Sequence, residues 1–428
     1  MSMKAINLAQ TVNYFRQIPL SGQDLRFWFV AREGSPRGYM RSLLRTVNEP
    51  VKLLFVGHRG SGKSTELNKL AEELSDKFYT IHIDIRAITG RTTPEYEDVM
   101  LAMSTQIVIF CIEHNLVRTP LVEPVRQGWE SLRDWWLQVV AGLPIRPASA
   151  ETTISAQVKT LLGDIELSAR QSSAAREQLK FQINQQMPDL IRHLNWVIAE
   201  AEKNSQKHLL IVVEGLDKVD LEAATQIFRD HAPTITSPIT AMIYTCPLAL
   251  RFSDHYNTLK LSFSEVRYLP NIAPRHRDNS PNPEGMATLR DIVLQRLEDR
   301  LIEPLAFDLI LQACGGVPVW LVFLVRSAAV YALNRSEQAV IIRAEDARSA
   351  IKELRREALA PLSRRDLTVL RARHGDRRLT NDTDEQRLIY NGSLIEYDND
   401  VQWCDAHPAL WSLLEQADDD NPDDNGLD

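Results

Sequence analysis

The feature that most narrows the fold is an octapeptide, Gly57-His58-Arg59-Gly60-Ser61-Gly62-Lys63-Ser64, set between two apolar patterns of different period. Before it, Val51-Lys52-Leu53-Leu54-Phe55-Val56 reads as a short buried strand. After it, Leu67, Leu70, Ala71 and Leu74 recur at helical spacing. Strand, glycine-rich loop and helix in that order are the context that G-x-x-x-x-G-K-[ST] requires. Glycines let backbone N–H groups curl around phosphate oxygens through positive φ angles. Lys63 supplies a point charge to the outer phosphates, the Ser64 hydroxyl can ligate Mg²⁺, and the helix N-terminus adds its dipole. Gly57, Gly60, Ser61, Gly62, Lys63, Ser64 and Thr65 are therefore the phosphate-binding candidates.

Such a loop needs an acidic residue at the end of a neighbouring strand. The apolar run from His208 to Val213 ends at Glu214, with Gly215, Leu216 and Asp217 following. Glu214 is one methylene longer than the usual aspartate and is the candidate partner of Ser64 on Mg²⁺. Gly215 leaves no adjacent glutamate to activate water, so Asp217 is the candidate for that task, against its reading as a helix cap. A third strand, Ala241 to Cys246, carries Thr245 near its tip, where a hydroxyl can sense the terminal phosphate. Phe78 to Ile85 is a further strand. Alternation of such strands with helices is the pattern of an α/β fold with a parallel sheet.

At 428 residues the chain has room for two to three domains. Residues 1–50 read as an N-terminal strap and 51–285 as the α/β domain. That domain holds a proline-punctuated helical insertion over about 115–205. Helical patterns alone fill 286–358; 359–415 ends in a hairpin, and the acidic 416–428 reads as a disordered tail. The net charge of −8 argues against a surface devoted to nucleic acid. Four cysteines with no C-x-x-C spacing indicate neither zinc nor disulfides. Neither a signal peptide nor a membrane segment is recognisable, so a soluble, cytoplasmic protein is expected.

Strand–GxxxxGKS–helix, Val212-Val213-Glu214-Gly215-Leu216-Asp217, Tyr244-Thr245-Cys246-Pro247 and Gly316-Val317-Pro318 together resemble a STAND-type P-loop NTPase of the AAA+-related group. The resemblance covers roughly 50–360 without the insertion. It implies a P-loop NTPase sheet, a helical lid whose Pro318 packs on adenine, and a small winged helix. It also implies ATP with Mg²⁺ as cofactors, a protein partner or effector chain, and self-assembly on ATP binding. Lys63, Glu214, Asp217 and Thr245 are the catalytic candidates it supports. Val319 and Trp320 stand where related lids place an arginine, which favours a slow switch over a motor. Relatives of this layout work in bacterial signalling or phage defence.

Two other classes stay open. A DNA-loading ATPase of the origin-recognition kind shares the same module order, and its DNA contact would use Arg364, Arg365, Arg371, Arg373, Arg377 and Arg378. The following segment, with Asp382, Asp384 and Glu385, is wrong for a recognition helix, so protein contact is favoured over DNA. The other class is a nucleotide-binding scaffold without turnover. Arg176 in the insertion is a candidate to complete a neighbour's site, against a solvated helix face. Trp129, Trp135 and Trp136 read as core. His58 and Arg59 are expected to point outward.

Overall fold

The computed structural model describes residues 4–90, 93–117, 123–141, 143, 154–399 and 401–416. The acidic tail foreseen beyond 416 lies outside them, as do Pro120, Pro144 and Pro147 of the insertion. Five parallel strands form the central sheet: β1 (Lys52–Gly57), β2 (Phe78–Asp84), β3 (His208–Glu214), β4 (Ala241–Pro247) and β5 (Glu265–Leu269). Their order is β2-β3-β4-β1-β5. Residues of β3 alternate between two cores. Leu209, Ile211 and Val213 face the helices Tyr96–Glu113 and Met187–Ser205, while Leu210 and Val212 face Leu67 and Leu70 of the helix Lys63–Glu73. Burial on both faces explains why this strand is continuously apolar. Register brings Phe55 beside Thr245 and Asp84 beside Glu214, so the loop and the polar strand tips share one edge.

The insertion is helical as expected. Its described helices are Glu123–Val139, Ile154–Gln171, Ser173–Gln185 and Met187–Ser205. Trp129 and Trp136 are fully buried, with Trp129 edge-on to Trp196 at 5.6 Å. Arg176 is buried as well, which corrects its reading as an arginine projecting towards a neighbour. The N-terminal segment, read as a strap, forms the short helices Leu8–Tyr14, Gly22–Trp28 and Arg37–Thr46. Leu8 and Phe15 enter the lid core, so this segment spans from the lid to the helix Lys63–Glu73.

The lid comprises the helices Pro283–Leu294, Pro304–Ala313, Pro318–Arg335 and Ala344–Leu359 around their own apolar core. Each of the first three begins with proline, whose fixed φ and missing N–H suit a first helical turn. A winged-helix-like unit follows. Its helices are Arg364–Asp376, started by a reciprocal cap between Ser363 and Asp366, and Thr383–Asn391. The antiparallel hairpin of β6 (Leu394–Asn399) and β7 (Val401–Ala406) completes it. All four cysteines are buried and unpaired. No helix among the described residues is long and apolar enough to cross a membrane.

Gly316 stands at φ +72°, where a Cβ would lie 1.7 Å from the Ile272 carbonyl oxygen. That carbonyl belongs to the segment joining sheet to lid, and Ile272 N–H in turn donates to Gly316 O at 3.1 Å. Gly316→Ala is expected to destabilise the protein by about 2–4 kcal/mol through combined strain and overlap. Gly375→Ala, in a helix with nothing within 4 Å of the added methyl, should stabilise by about 0.5–1 kcal/mol. Denaturant midpoints of the two variants, moving in opposite directions, check this.

Candidate functional site

The loop after β1 turns twice through positive φ, at Gly60 (+81°) and Gly62 (+97°), and delivers Lys63 to the start of its helix. The Lys63 ammonium is 4% exposed and held by three acceptors. It donates to the Gly57 carbonyl at 2.8 Å and the His58 carbonyl at 2.9 Å, and pairs with Asp217 Oδ2 at 2.8 Å. Asp217 sits in the short turn Leu216–Lys218 after β3 and accepts from the Thr245 hydroxyl at 3.2 Å. Burial works to raise the Asp217 pKa. The Lys63 ammonium and its hydrogen bond, with help from Lys218 and Thr245, outweigh it and hold the carboxyl below its ordinary value. Lys63, Asp217 and Thr245 are thus brought together as one ionised, hydrogen-bonded cluster.

A cavity of about 400 Å³ opens beside this cluster, within the size range of small-molecule sites. Gly60, Gly62, Lys63, Ser64, Thr65 and Asp217 line it, and Pro318 lines it from the lid. Gly57 is buried beneath the loop, where a Cβ would meet Leu269 O at 3.0 Å; Ser61 is buried beside it with its hydroxyl unpartnered. Thr245 does not border the cavity; its hydroxyl orients Asp217 instead. Glu214 does not border it either. Its Oε2 accepts from His82 Nδ1 at 3.1 Å, while Oε1 is buried without a partner. That orphaned oxygen and the Ser64 hydroxyl at the cavity wall are each the kind of oxygen donor that suits a hydrated Mg²⁺ ion.

Among the described residues, six cations and one acid line the cavity: Arg16, Arg59, Lys63, Arg86, Lys218 and Arg296 against Asp217. Such a balance suits a polyanion. Sequence reasoning missed several of these residues. Ile18, Pro19 and Leu20 close one side, pinned because Leu20 N–H donates to Thr65 Oγ1 at 3.1 Å and Asn68 Nδ2 donates to Leu20 O at 2.8 Å. Arg296 comes from the end of the first lid helix, so the lid does bring an arginine to the cavity although Val319 and Trp320 follow Pro318. Desolvation pushes its pKa down to about 10, against the pull of Asp24, and its guanidinium lies 5.6 Å from the Trp28 ring centroid. A lone arginine far along the chain carries no sequence signal of this placement.

The loop also touches both later modules. Val319 N–H donates to Gly60 O at 3.2 Å, and a Cβ on Gly60 would overlap the Val319 side chain at 2.2 Å. His58 does not point outward. It is 1% exposed and donates from Nε2 to the Leu394 carbonyl of β6 at 3.1 Å. Nearby, Glu396 of β6 is fully buried, accepts from the Tyr268 hydroxyl and from Gln402 Nε2 at 2.6 Å, and lies 3.8 Å from Arg251. Arg59 is exposed at the cavity mouth, as expected.

No protein-family model and no curated protein matches the chain. Among solved structures, a Walker-type ATPase of Pyrococcus abyssi is similar at 15% identity and TM-score 0.47, over 94% of this chain and 99% of that one. Cdc6p from Pyrobaculum aerophilum follows at 12% and 0.40, over 91% and 96%. The Orc1 protein of Aeropyrum pernix, solved in complex with DNA, gives 12% and 0.38, over 96% and 96%. With scores below one half, none of the three assigns an activity to this chain.

Burial raises the Glu396 pKa from 4.5 to about 7, only partly offset by Gln402 and Arg251. A carboxyl whose folded pKa is raised stabilises the docked hairpin in acid and costs stability as pH climbs through about 7. His58 and His407 act oppositely. Burial lowers them to about 4 and about 3, so their contribution is lost as pH falls below 6.5. Glu396→Gln should therefore match the parent near pH 4, pull ahead of it as pH climbs from 4.5 to about 7, and exceed it above pH 8 by at most about 3 kcal/mol. Denaturant unfolding of both proteins across that range checks the sign; a difference independent of pH would contradict it.

Proposed function

We propose that the chain is an ATP-binding, slowly hydrolysing switch that uses nucleotide state to control the position of its C-terminal unit and thereby a partner or self-assembly. One observation carries this reading: the phosphate loop is at once a wall of the polycationic cavity and a contact surface for lid and hairpin. Gly60 bonds Val319 and His58 bonds Leu394, so phosphates entering the loop act directly on both contacts. ATP rather than GTP is taken from the resemblance to STAND-type NTPases. Bacterial signalling or phage defence, and assembly on ATP binding, are likewise proposed on that basis, as is a cytoplasmic location.

The residues divide the work as follows. Gly57, Gly60, Ser61 and Gly62 shape the loop, and Lys63 exchanges Asp217 for the outer phosphates. Asp217, released from Lys63, would orient an attacking water and take its proton, with Thr245 holding its other oxygen. Ser64 and, through water, Glu214 would hold Mg²⁺, which supplies positive charge to the phosphate oxygens. Thr65 fixes the N-terminal segment, and Pro318 offers an apolar surface to the base.

The DNA-loading alternative draws less support. Four arginines of the C-terminal cluster are engaged within their own unit: Arg365 with Asp384 at 2.6 Å, Arg373 with Asp376 at 2.6 Å and Glu385 at 3.1 Å, Arg377 with Asp405 at 3.5 Å, and Arg371 with the Leu414 carbonyl at 3.2 Å. Guanidinium groups already paired contribute little to phosphate contact.

Lys63→Ala is expected to weaken Mg²⁺–ATP binding at least 10-fold and abolish turnover while the protein remains folded. Equilibrium binding of a fluorescent ATP analogue and phosphate release measure both. Unchanged affinity would remove the switch reading, and binding without any Lys63-dependent turnover would turn it into a scaffold.

A further inference from the structure

We propose that Arg86 is a cation supplied by the chain itself to the terminal phosphate, and that Gly215 is what admits it to the site. This rests on the nucleotide reading above and goes beyond it, since no motif names Arg86 and the acidic strand lacks the glutamate expected after Glu214.

Arg86 is the second residue of a one-turn helix, Ile85–Thr89, that directly follows β2. It lines the same cavity as Lys63, Ser64 and Asp217. The turn is clamped at both ends. Asp84 accepts from Ala87 N–H at 3.1 Å, and Arg170 of the insertion donates to the Ala87 and Ile88 carbonyls at 2.8 and 2.6 Å. Gly215 explains how the turn comes so close to β3. At φ +88°, a Cβ there would lie 2.7 Å from Asp84 Oδ1 and 3.3 Å from the Arg86 amide nitrogen. Any side chain at 215, a glutamate included, would be strained at that φ and would push on the Asp84 carboxylate that caps the turn carrying Arg86. The glycine is therefore a condition for a different catalytic group, contributed by the neighbouring strand.

Arg86 lines the cavity together with Lys63 and Asp217, the pair that an outer phosphate would part. Burial raises the Tyr390 pKa, with Arg59 and Arg86 opposing and Asp220 and Asp217 reinforcing, so Arg86 and Asp217 act on the same phenol. The Tyr390 hydroxyl donates to the Val219 carbonyl, just past the Asp217 turn. Asp217 is already paired with Lys63. The Arg86 guanidinium, among the described residues, makes neither an ion pair nor a hydrogen bond. Arg59 also lines this mouth but is exposed, whereas Arg86 is half-buried and its backbone is fixed. A guanidinium carried there on a fixed backbone and left free to engage phosphate stabilises charge developing on the transferred phosphoryl group, as arginines supplied in cis do in phosphate-loop enzymes. Arg170, which hydrogen-bonds the turn and does not line the nucleotide cavity, is a positioning residue, and through it the insertion bears on the rate.

The test compares turnover and affinity for ADP and a slowly hydrolysed ATP analogue in four proteins: parent, Arg86→Ala, Arg86→Lys and Arg170→Ala. Arg86→Ala should lower kcat at least 100-fold and erase any preference for the ATP analogue, with ADP affinity within about 3-fold of the parent. Millimolar guanidinium ion should restore part of that turnover and none of the turnover lost in Lys63→Ala. Arg86→Lys, which keeps charge without the planar fork, should fall between. Arg170→Ala should lower kcat without raising KM. Mixing Arg86→Ala with Lys63→Ala should restore nothing, because the arginine acts within its own chain; restoration would assign it to a neighbour and overturn the proposal. Parent-like turnover and ATP preference in Arg86→Ala would overturn it while leaving the nucleotide reading intact. Failure of the parent to bind either nucleotide would overturn both.

Discussion

Everything at the edge of this sheet depends on where the Lys63 ammonium is held. A buried ammonium is costly unless its charge is matched and its donors are used, and here two loop carbonyls and Asp217 do both. The two carbonyls fix the curl of the loop from within. Asp217 fixes the turn after β3, and its second oxygen ties in Thr245 from β4. Three strand tips are thereby locked around one charge. On the proposed reading, an arriving polyanion would compete with Asp217 for that charge, so that ligand binding and rearrangement of Asp217 would be the same event.

The loop's outer side links that event to the rest of the chain. A glycine at 60 leaves no Cβ between loop and lid, and the space is taken by Val319. His58 spends its Nε2 hydrogen bond on β6, in surroundings whose burial favours the neutral ring. The hairpin's other anchors include Tyr397, whose hydroxyl donates to Gly315 O at 2.8 Å, and Asn271, which donates to Glu396 O at 2.9 Å. Ile395, Tyr397 and Trp403 also pack with Val317 and Ala273 in a small apolar cluster. The hydrogen bonds sit at close backbone approaches, which shift between discrete arrangements more readily than they stretch.

The parts of this structure that were legible in the sequence are those set by local pattern. The loop, β1 and its helix were fixed by glycines and by a change of apolar period. β3 and β4 were readable because both faces are buried, and the hairpin because its two strands flank a polar turn. β5 went unread: Glu265-Val266-Arg267-Tyr268-Leu269 is a mostly half-buried edge strand, with charges where a buried strand would be apolar. At the site, residues within the motif were found and residues outside it were not. Arg86, Arg296 and Ile18–Leu20 owe their positions to tertiary packing, and nothing adjacent in sequence marks them. His58 was misjudged for a related reason, since a loop histidine reads as exposed until a second module covers it. Gly215 was seen as an absence, and its meaning depends on how closely β2 approaches.

The most direct test of a nucleotide-driven switch follows amide exchange in the hairpin Leu394–Ala406 and the lid start Val317–Leu321, in parent protein without ligand, with ADP, and with a slowly hydrolysed ATP analogue plus Mg²⁺. Coupling through the phosphate loop predicts faster exchange in both segments with the ATP analogue than with ADP, and no such difference in Lys63→Ala. Equal exchange in all three states, with nucleotide demonstrably bound, would show that the cavity fills without moving the C-terminal unit and would contradict the account.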